Sequence, residues 1–258
     1  MDLLLVVVCA FGASWLTFFS GFGLGTILTP VFYFVLNDLT LAIAATAIVH
    51  FLNNIFKFIL MQKKVDWKIA LPFGLATIPA AFFGAYLLSK FDDSILFTYQ
   101  IGDSVFNIQL MNLIFGILLI LFALVEMVPK LSLNFSRNTL WLGGLVSGFF
   151  GGLSGHQGAL RTAFLSKYKL DKEVFVATGI VIALTVDVVR TGVYFSSFDL
   201  MTLKINWLII LLPLLAALIG AITGKYFLKK MNWNMMTVVI GISMFVFGIA
   251  LAAGFLSK

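Results

Sequence analysis

Twice in this chain an apolar stretch long enough for lipid is broken midway by glycines and small polar residues. The second copy is the more explicit: Trp141 to Leu165 reads WLGGLVSGFFGGLSGHQGALRTAFL. The first, Trp15 to Phe32, reads WLTFFSGFGLGTILTPVF. The core of a bilayer has no water for loose N–H and C=O groups, so irregular backbone at that depth must face protein or a wet cavity. Broken segments in corresponding places of two halves are where a transporter builds its binding site.

Composition puts these breaks in a membrane. With 61% hydrophobic and 11% charged residues and a mean hydropathy of +1.08, a soluble fold could not cover the apolar surface. The class is an all-α polytopic membrane protein. A single cysteine, Cys9, excludes a disulfide framework, a CxxC relay and a thiolate metal cluster. Met1-Asp2-Leu3 lacks the basic region of a cleaved signal, so the first run is expected to stay as a helix. The net charge of +6 reads as cytoplasmic loops and not as nucleic-acid binding.

Apolar runs fall at roughly 3–36, 40–61, 68–89, 108–127, 139–165, 173–197, 205–228 and 233–256. Eight straight crossings would split Lys and Arg almost evenly between the two sides. Folding each broken run back as a hairpin changes that. Lys63, Lys64, Lys68, Lys130, Arg137, Lys167, Lys169, Lys172, Lys225, Lys229 and Lys230 then share one side. Lys90, Lys204 and Lys258 lie on the other, with Asp2, Asp38, Asp92, Asp93, Asp103 and Asp199. Eleven against three is the asymmetry of cytoplasm against exterior.

Each half, 1–128 and 129–258, becomes a glycine-broken helical hairpin plus three transmembrane helices. The halves enter from opposite faces as two inverted repeats, with both termini outside. Short internal matches agree. Ala45-Thr46-Ala47 resembles Ala177-Thr178-Gly179, and Trp67, Gly84 and Tyr86 match Trp207, Gly224 and Tyr226 at an offset of 140. Gly116 and Gly241 sit alike in the last helix of each half. The polar connection from Lys90 to Asn107 reads as an external solvated loop.

Polar residues inside the apolar runs are the candidates for chemistry. Ser154-Gly155-His156-Gln157 has the form of a capping box that restarts a helix, whose free N–H groups attract anions. The first copy is expected to restart at Thr26. The second run carries Thr46, His50, Asn53, Asn54 and Lys57 within about 100° of arc, one stripe on a greasy helix. Asp187, Arg190, Thr191 and Tyr194 lie at i, i+3, i+4 and i+7. Bland uses exist for each: Lys57 and Arg161 could snorkel to an interface, Asp187 and Arg190 could neutralise each other, and His50 and the asparagines could glue helices. The sum is less easily explained. Lys57, Arg161 and Arg190 face one clear intramembrane acid, Asp187, with Glu126 nearer an interface. A visiting anion would balance them, and arginine's fork suits an oxyanion.

Catalytic motifs are missing: no HExxH, no G-x-S-x-G, no P-loop and no paired carboxylates in an apolar helix. Two histidines without acids at ligand spacing argue against a metal, and nothing calls for a cofactor. An integral-membrane enzyme using His50, Asn53 and His156 is therefore the weaker rival to transport. A non-transporting assembly or sensor protein is another, and a channel is not separable from a carrier by sequence.

The glycine-rich first segment ending in Pro30, the string GGLSGHQGALRTAFL (Gly151 to Leu165), the Ala-Thr element opening each following helix and the length resemble the sulfite exporter TauE/SafE family. The resemblance spans essentially the whole chain. Members often carry consecutive glycines where this chain has Gly23-Leu24-Gly25, so the first pocket departs from their pattern. The resemblance implies a permease of the prokaryotic cytoplasmic membrane for small sulfur-containing or organic anions such as sulfite or sulfonates, frequently an exporter.

Together these readings give a secondary transporter that rocks one half against the other about a midplane site. His156, Gln157, Arg161, Arg190, Asn53, Asn54, Gly25 and Gly158 would bind the anion. His50, Asp187 and Lys57 are the coupling candidates. The partners are a small anionic substrate and the lipid bilayer; apolar faces such as Leu208 to Leu218 and Met235 to Phe247 could meet lipid or a second copy in a homodimer.

Overall fold

The computed structural model describes residues 2–20, 23–90, 94–127, 139–197, 207–227 and 233–256. Ten helices and one hairpin of strands follow in order: α1 (Asp2–Ser20), α2 (Leu24–Leu36), α3 (Leu39–Met61), α4 (Trp67–Leu88), β1 (Ile95–Ile101), β2 (Ser104–Gln109), α5 (Leu110–Met127), α6 (Leu140–Ser154), α7 (Gly158–Leu165), α8 (Lys172–Ser197), α9 (Leu208–Phe227) and α10 (Trp233–Ala252). The protein is a multi-pass membrane protein. Among the described residues four helices, α3, α4, α8 and α9, are long and apolar enough to cross a membrane. Large apolar side chains turn outward along them, among them Leu71, Leu75 and Phe83 on α4 and Leu211, Leu215 and Ile219 on α9.

Both broken runs fold back. On the first, Ser14 bonds Asn53 and Phe18 meets Lys57, so α1 runs parallel to α3. Gly25 lies against Thr46 and His50, and Thr29 bonds Thr46, so α2 runs against α3. On the second, Gly151 faces Gln157 and Gly143 faces Phe164, so α7 runs back along α6. At 13 and 15 residues, α2 and α6 span only about 20 Å each at 1.5 Å per residue, short of the roughly 30 Å core.

The hairpins are fastened to helices from the far part of the chain. Gly144, Gly148 and Gly152 on α6 sit on Phe73, Thr77 and Ala81 of α4, while Gly84 of α4 sits on Phe149 of α6. Residue numbers rise together along this seam, so the two helices are parallel. A Cβ at Gly148 would come 2.7 Å from the Thr77 Cα, closer than any side chain is tolerated. The α1–α9 seam is built the same way, with Gly220 on Phe11 and Gly224 on Phe18. Small residues matter here because lipid offers no hydrophobic drive between helices and close backbone packing supplies it. Helices α5 and α10 cross at Gly116 and Gly248.

The two ends of the bundle differ. At one, Lys64 pairs with Glu173 (3.1 Å) and Lys225 donates to the Leu60 carbonyl (3.2 Å). Lys63, Lys68, Lys167, Lys169 and Lys172 lie in the same junctions. Asp38 caps α3 at the opposite end, where its side chain accepts from Leu41 N (2.8 Å). There the connection from Lys90 to Asn107 is expected to be a solvated loop, but the chain from 95 to 109 forms an antiparallel hairpin turning at Gly102 (φ 60°). Tyr99 bonds the Ala253 carbonyl and Phe106 packs on Phe255, which ties the hairpin to the end of α10. The expectations for Asp92, Asp93, Lys130, Arg137, Asp199, Lys204, Lys229, Lys230, Lys258 and the side chains of Glu126 and Met235 lie outside the described residues.

Gly148→Leu should overpack the α4–α6 seam and cost about 1–3 kcal/mol or more. Gly12→Ala, which meets nothing within 4 Å, should be neutral or slightly stabilising. Thermal unfolding midpoints in detergent distinguish the two; equal midpoints would mean the seam is not packed as described.

Candidate functional site

The second break is made by how α6 ends. Ser154 closes the helix by donating its hydroxyl to the Phe150 carbonyl (3.0 Å) and accepts from His156 N (3.4 Å). Gly155 takes the left-handed conformation (φ 79°), its N–H bonded to the Gly151 carbonyl. Gln157 then caps α7 with no side-chain bond. The expected Ser154–Gln157 capping box is therefore not formed. Ser154 bonds Phe150 and His156 and not Gln157, and both amide atoms of Gln157 stay without a partner. A Cβ at Gly155 would also strike Arg190 Nη1, so that position is held to glycine by conformation and by space.

Asp187 is the hub of the site. It is fully buried on α8, and α8 runs against α3, which carries His50 and Asn54 across to it. Its Oδ2 accepts from Asn54 Nδ2 (2.8 Å) and meets His50 Nδ1 (2.8 Å). Its Oδ1 accepts from Arg190 Nε (3.0 Å), with Nη2 2.9 Å away but not aligned as a donor. Arg190 is 1% exposed. Tyr194, one turn on, donates to the Gly152 carbonyl (2.6 Å) and ties α8 to the end of α6. Arg161 is buried on α7 with its guanidinium against Gly179 of α8, the helix that carries Asp187. It does not snorkel toward Lys167.

Around this hub, buried polar atoms lack partners: both ring nitrogens of His156, both amide atoms of Gln157 and the Thr191 hydroxyl; the Thr162 hydroxyl on α7 also lacks one. Each orphan costs about 1–3 kcal/mol when desolvated. Such a group beside two guanidiniums suits an anion with several oxygens. Gly158 opens α7 at this point and is buried.

The first break is made differently. Gly23 (φ 102°) starts α2 at Leu24, two residues before the expected Thr26. A Cβ at Gly25 would make ordinary contact with Thr46 and His50, so this position is not held to glycine by space. The stripe on α3 divides in two. His50 and Asn54 turn to Asp187, whereas Asn53 turns to α1 and α9. With its amide oriented to satisfy both atoms, Asn53 donates to Ser14 Oγ (3.2 Å) and the Ala217 carbonyl (3.3 Å) and accepts from Lys57 Nζ (3.3 Å). Lys57 is 3% exposed and so stays inside the bundle.

Among the described residues the buried cations Lys57, Arg161 and Arg190 thus face the single buried acid Asp187. No group of three or more His, Cys, Asp or Glu among them could hold a metal ion. Spacing alone missed Thr17, Ser14, Thr162 and the Tyr194 tie to Gly152. It also missed the His50–Asp187 contact, whose partners are 137 residues apart.

A family model described as TauE: Sulfite exporter TauE/SafE matches residues 6–251. No curated protein and no solved structure matches the chain.

Removing Asp187 alone leaves Arg190 buried without its acid, so Asp187→Asn should cost about 3–5 kcal/mol. The Asp187→Asn/Arg190→Gln double variant should be less destabilised than the two single losses summed. A double-mutant cycle on detergent unfolding measures this; strict additivity would show that the pair does not interact.

Proposed function

This chain belongs to the sulfite exporter TauE/SafE family of membrane transporters, and on that premise we propose that it carries a small oxyanion, sulfite or a sulfonate, by alternating access around the second break. The observation that carries this reading is the coincidence of Arg190, Arg161 and the orphaned His156 and Gln157 at a buried helix break. Gly158 and the start of α7 line the same place, and Asn54 and Gly25 approach it from α3 and α2. Asp187 acts as the resident counter-ion of Arg190. A bound anion competes for that guanidinium, and a proton on His50 or Asp187 balances the released charge. This makes His50 and Asp187 the coupling pair.

The architecture we propose is two inverted repeats, 1–128 and 129–258. Its support is the way contacts exchange: α1 lies parallel on α9 as α6 lies parallel on α4, while α3–α8 and α5–α10 are antiparallel pairs. The seams join parts of opposite halves, so the rocking bodies exchange their fourth helix and slide at the α3–α8 contact. The lysine-rich end is the cytoplasmic one, so both termini face outward from a prokaryotic cytoplasmic membrane.

In proteoliposomes, Arg161→Ala and Arg190→Ala should each lower sulfite flux by about tenfold or more, the scale of a lost charged hydrogen bond. Val8→Ala, exposed on α1, should not. Undiminished flux in both arginine variants of correctly folded protein would remove this site from consideration. For orientation, in a Cys9→Ser background an impermeant maleimide should label Gln100→Cys on intact cells and Lys64→Cys only after permeabilisation. The reverse pattern would invert the topology.

A further inference from the structure

The cluster around Asp187 leaves Lys57 unexplained. Its Cα lies about 10 Å further along α3 than that of His50, seven residues at 1.5 Å each. The ammonium stands 5.5 Å from the centre of the Phe18 ring and reaches the Asn53 oxygen, and no Asp or Glu pairs with it among the described residues. A ring face and one neutral oxygen offset only part of what it costs to hold an ammonium away from water.

Lys57 lines a small internal pocket of about 10 Å³ together with Thr17, Leu24, His50 and Asn54, walled by α8. Three features of its lining favour negative charge. The Thr17 hydroxyl, on a residue 1% exposed, has no partner. Leu24 is the first residue of α2, a helix of 13 residues whose start has no side-chain cap, so the partial positive charge of that helix end lies at the pocket. No described carboxylate lines the pocket, and both oxygens of Asp187 are engaged by Arg190, His50 and Asn54.

We propose that this pocket is a second anion site, next to the one at the second break and bordered on that side by His50 and Asn54, held by Lys57, the Thr17 hydroxyl and the start of α2. Its size is at the lower limit for one water, so a single monatomic halide enters with a small outward shift of the lining. A larger oxyanion enters only if the first break moves. The site lies between the Asp187 cluster and the lysine-rich end, where an anion leaving that cluster for that end would pass. A resident halide and the transported oxyanion in transit share this chemistry, and the second source alone rests on the transport reading above.

The test is a thermal-shift titration of the purified full chain in gluconate buffer, with sodium bromide and with sodium sulfite at matched ionic strength. Bromide should raise the midpoint saturably in the wild type and in Lys57→Arg. Lys57→Met should need about ten times more bromide, the loss expected of one charged contact. Thr17→Val, which keeps the side-chain volume, should weaken the response by a smaller factor and carries the test if Lys57→Met does not fold. Sulfite that competes with bromide would identify the transported ion as a visitor to the pocket; sulfite that does not would identify a resident halide. A bromide response unchanged in Lys57→Met and Thr17→Val, or no saturable response in the wild type, overturns the proposal. A Lys57-dependent bromide response without sulfite flux would count against sulfite transport and leave this site standing.

Discussion

One carboxylate, fully enclosed, gathers helices from both parts of the chain. Asp187 accepts from Arg190 on its own helix and meets His50 and Asn54 from α3. An ionised acid in such surroundings is stable only when its lone pairs are taken up. The α3–α8 contact is therefore held by polar geometry as well as by packing, and the arginine beside the second break is oriented by it. Tyr194, donating to Gly152, fixes the same helix to the last turn of α6. The broken backbone is thus pinned from the side on which charge is concentrated.

Close approach of the glycine seams makes this arrangement possible. The α4–α6 seam brings the end of α6 deep into the bundle, and there Gly155 yields space to the Arg190 guanidinium. The two breaks are nevertheless unlike. The second carries arginine, histidine and glutamine. At the first, Thr29 meets Thr46 and Lys57 sits about three turns further along α3. The surroundings of the two breaks are therefore chemically different.

Much of the frame was legible in the sequence because lipid punishes loose backbone and unpaired charge. Glycines amid Ser154, His156 and Gln157 could only be a break, and the lysine distribution chose hairpins over straight rods. The stripe on α3 and the i, i+3 pair of Asp187 and Arg190 pointed to buried polar faces. What could not be read was which faces meet. His50 finding Asp187 depends on the α3–α8 register, and Asn53 parts company with Asn54 because neighbours on a helix point about 100° apart. Ser154 could close a box with Gln157 or bond backward, and it donates to the Phe150 carbonyl while accepting only from His156 N ahead of it, around Gly155's left-handed turn. The strands at 95–109 were hidden for another reason. Their apolar residues lie on both faces, so the alternation that marks a half-buried strand is blurred.

The parallel seams also bear on how the chain is made. Phe11 of α1 meets Gly220 of α9, so the partner of the first helix is synthesised some 209 residues later. At about 5–20 residues per second, the first hairpin waits roughly 10–40 s in the bilayer before its small-residue face is covered. During that interval the nascent protein exposes a groove that a chaperone, a lipid or the wrong helix could fill. The first hairpin therefore goes without its α9 neighbour until most of the chain has been made.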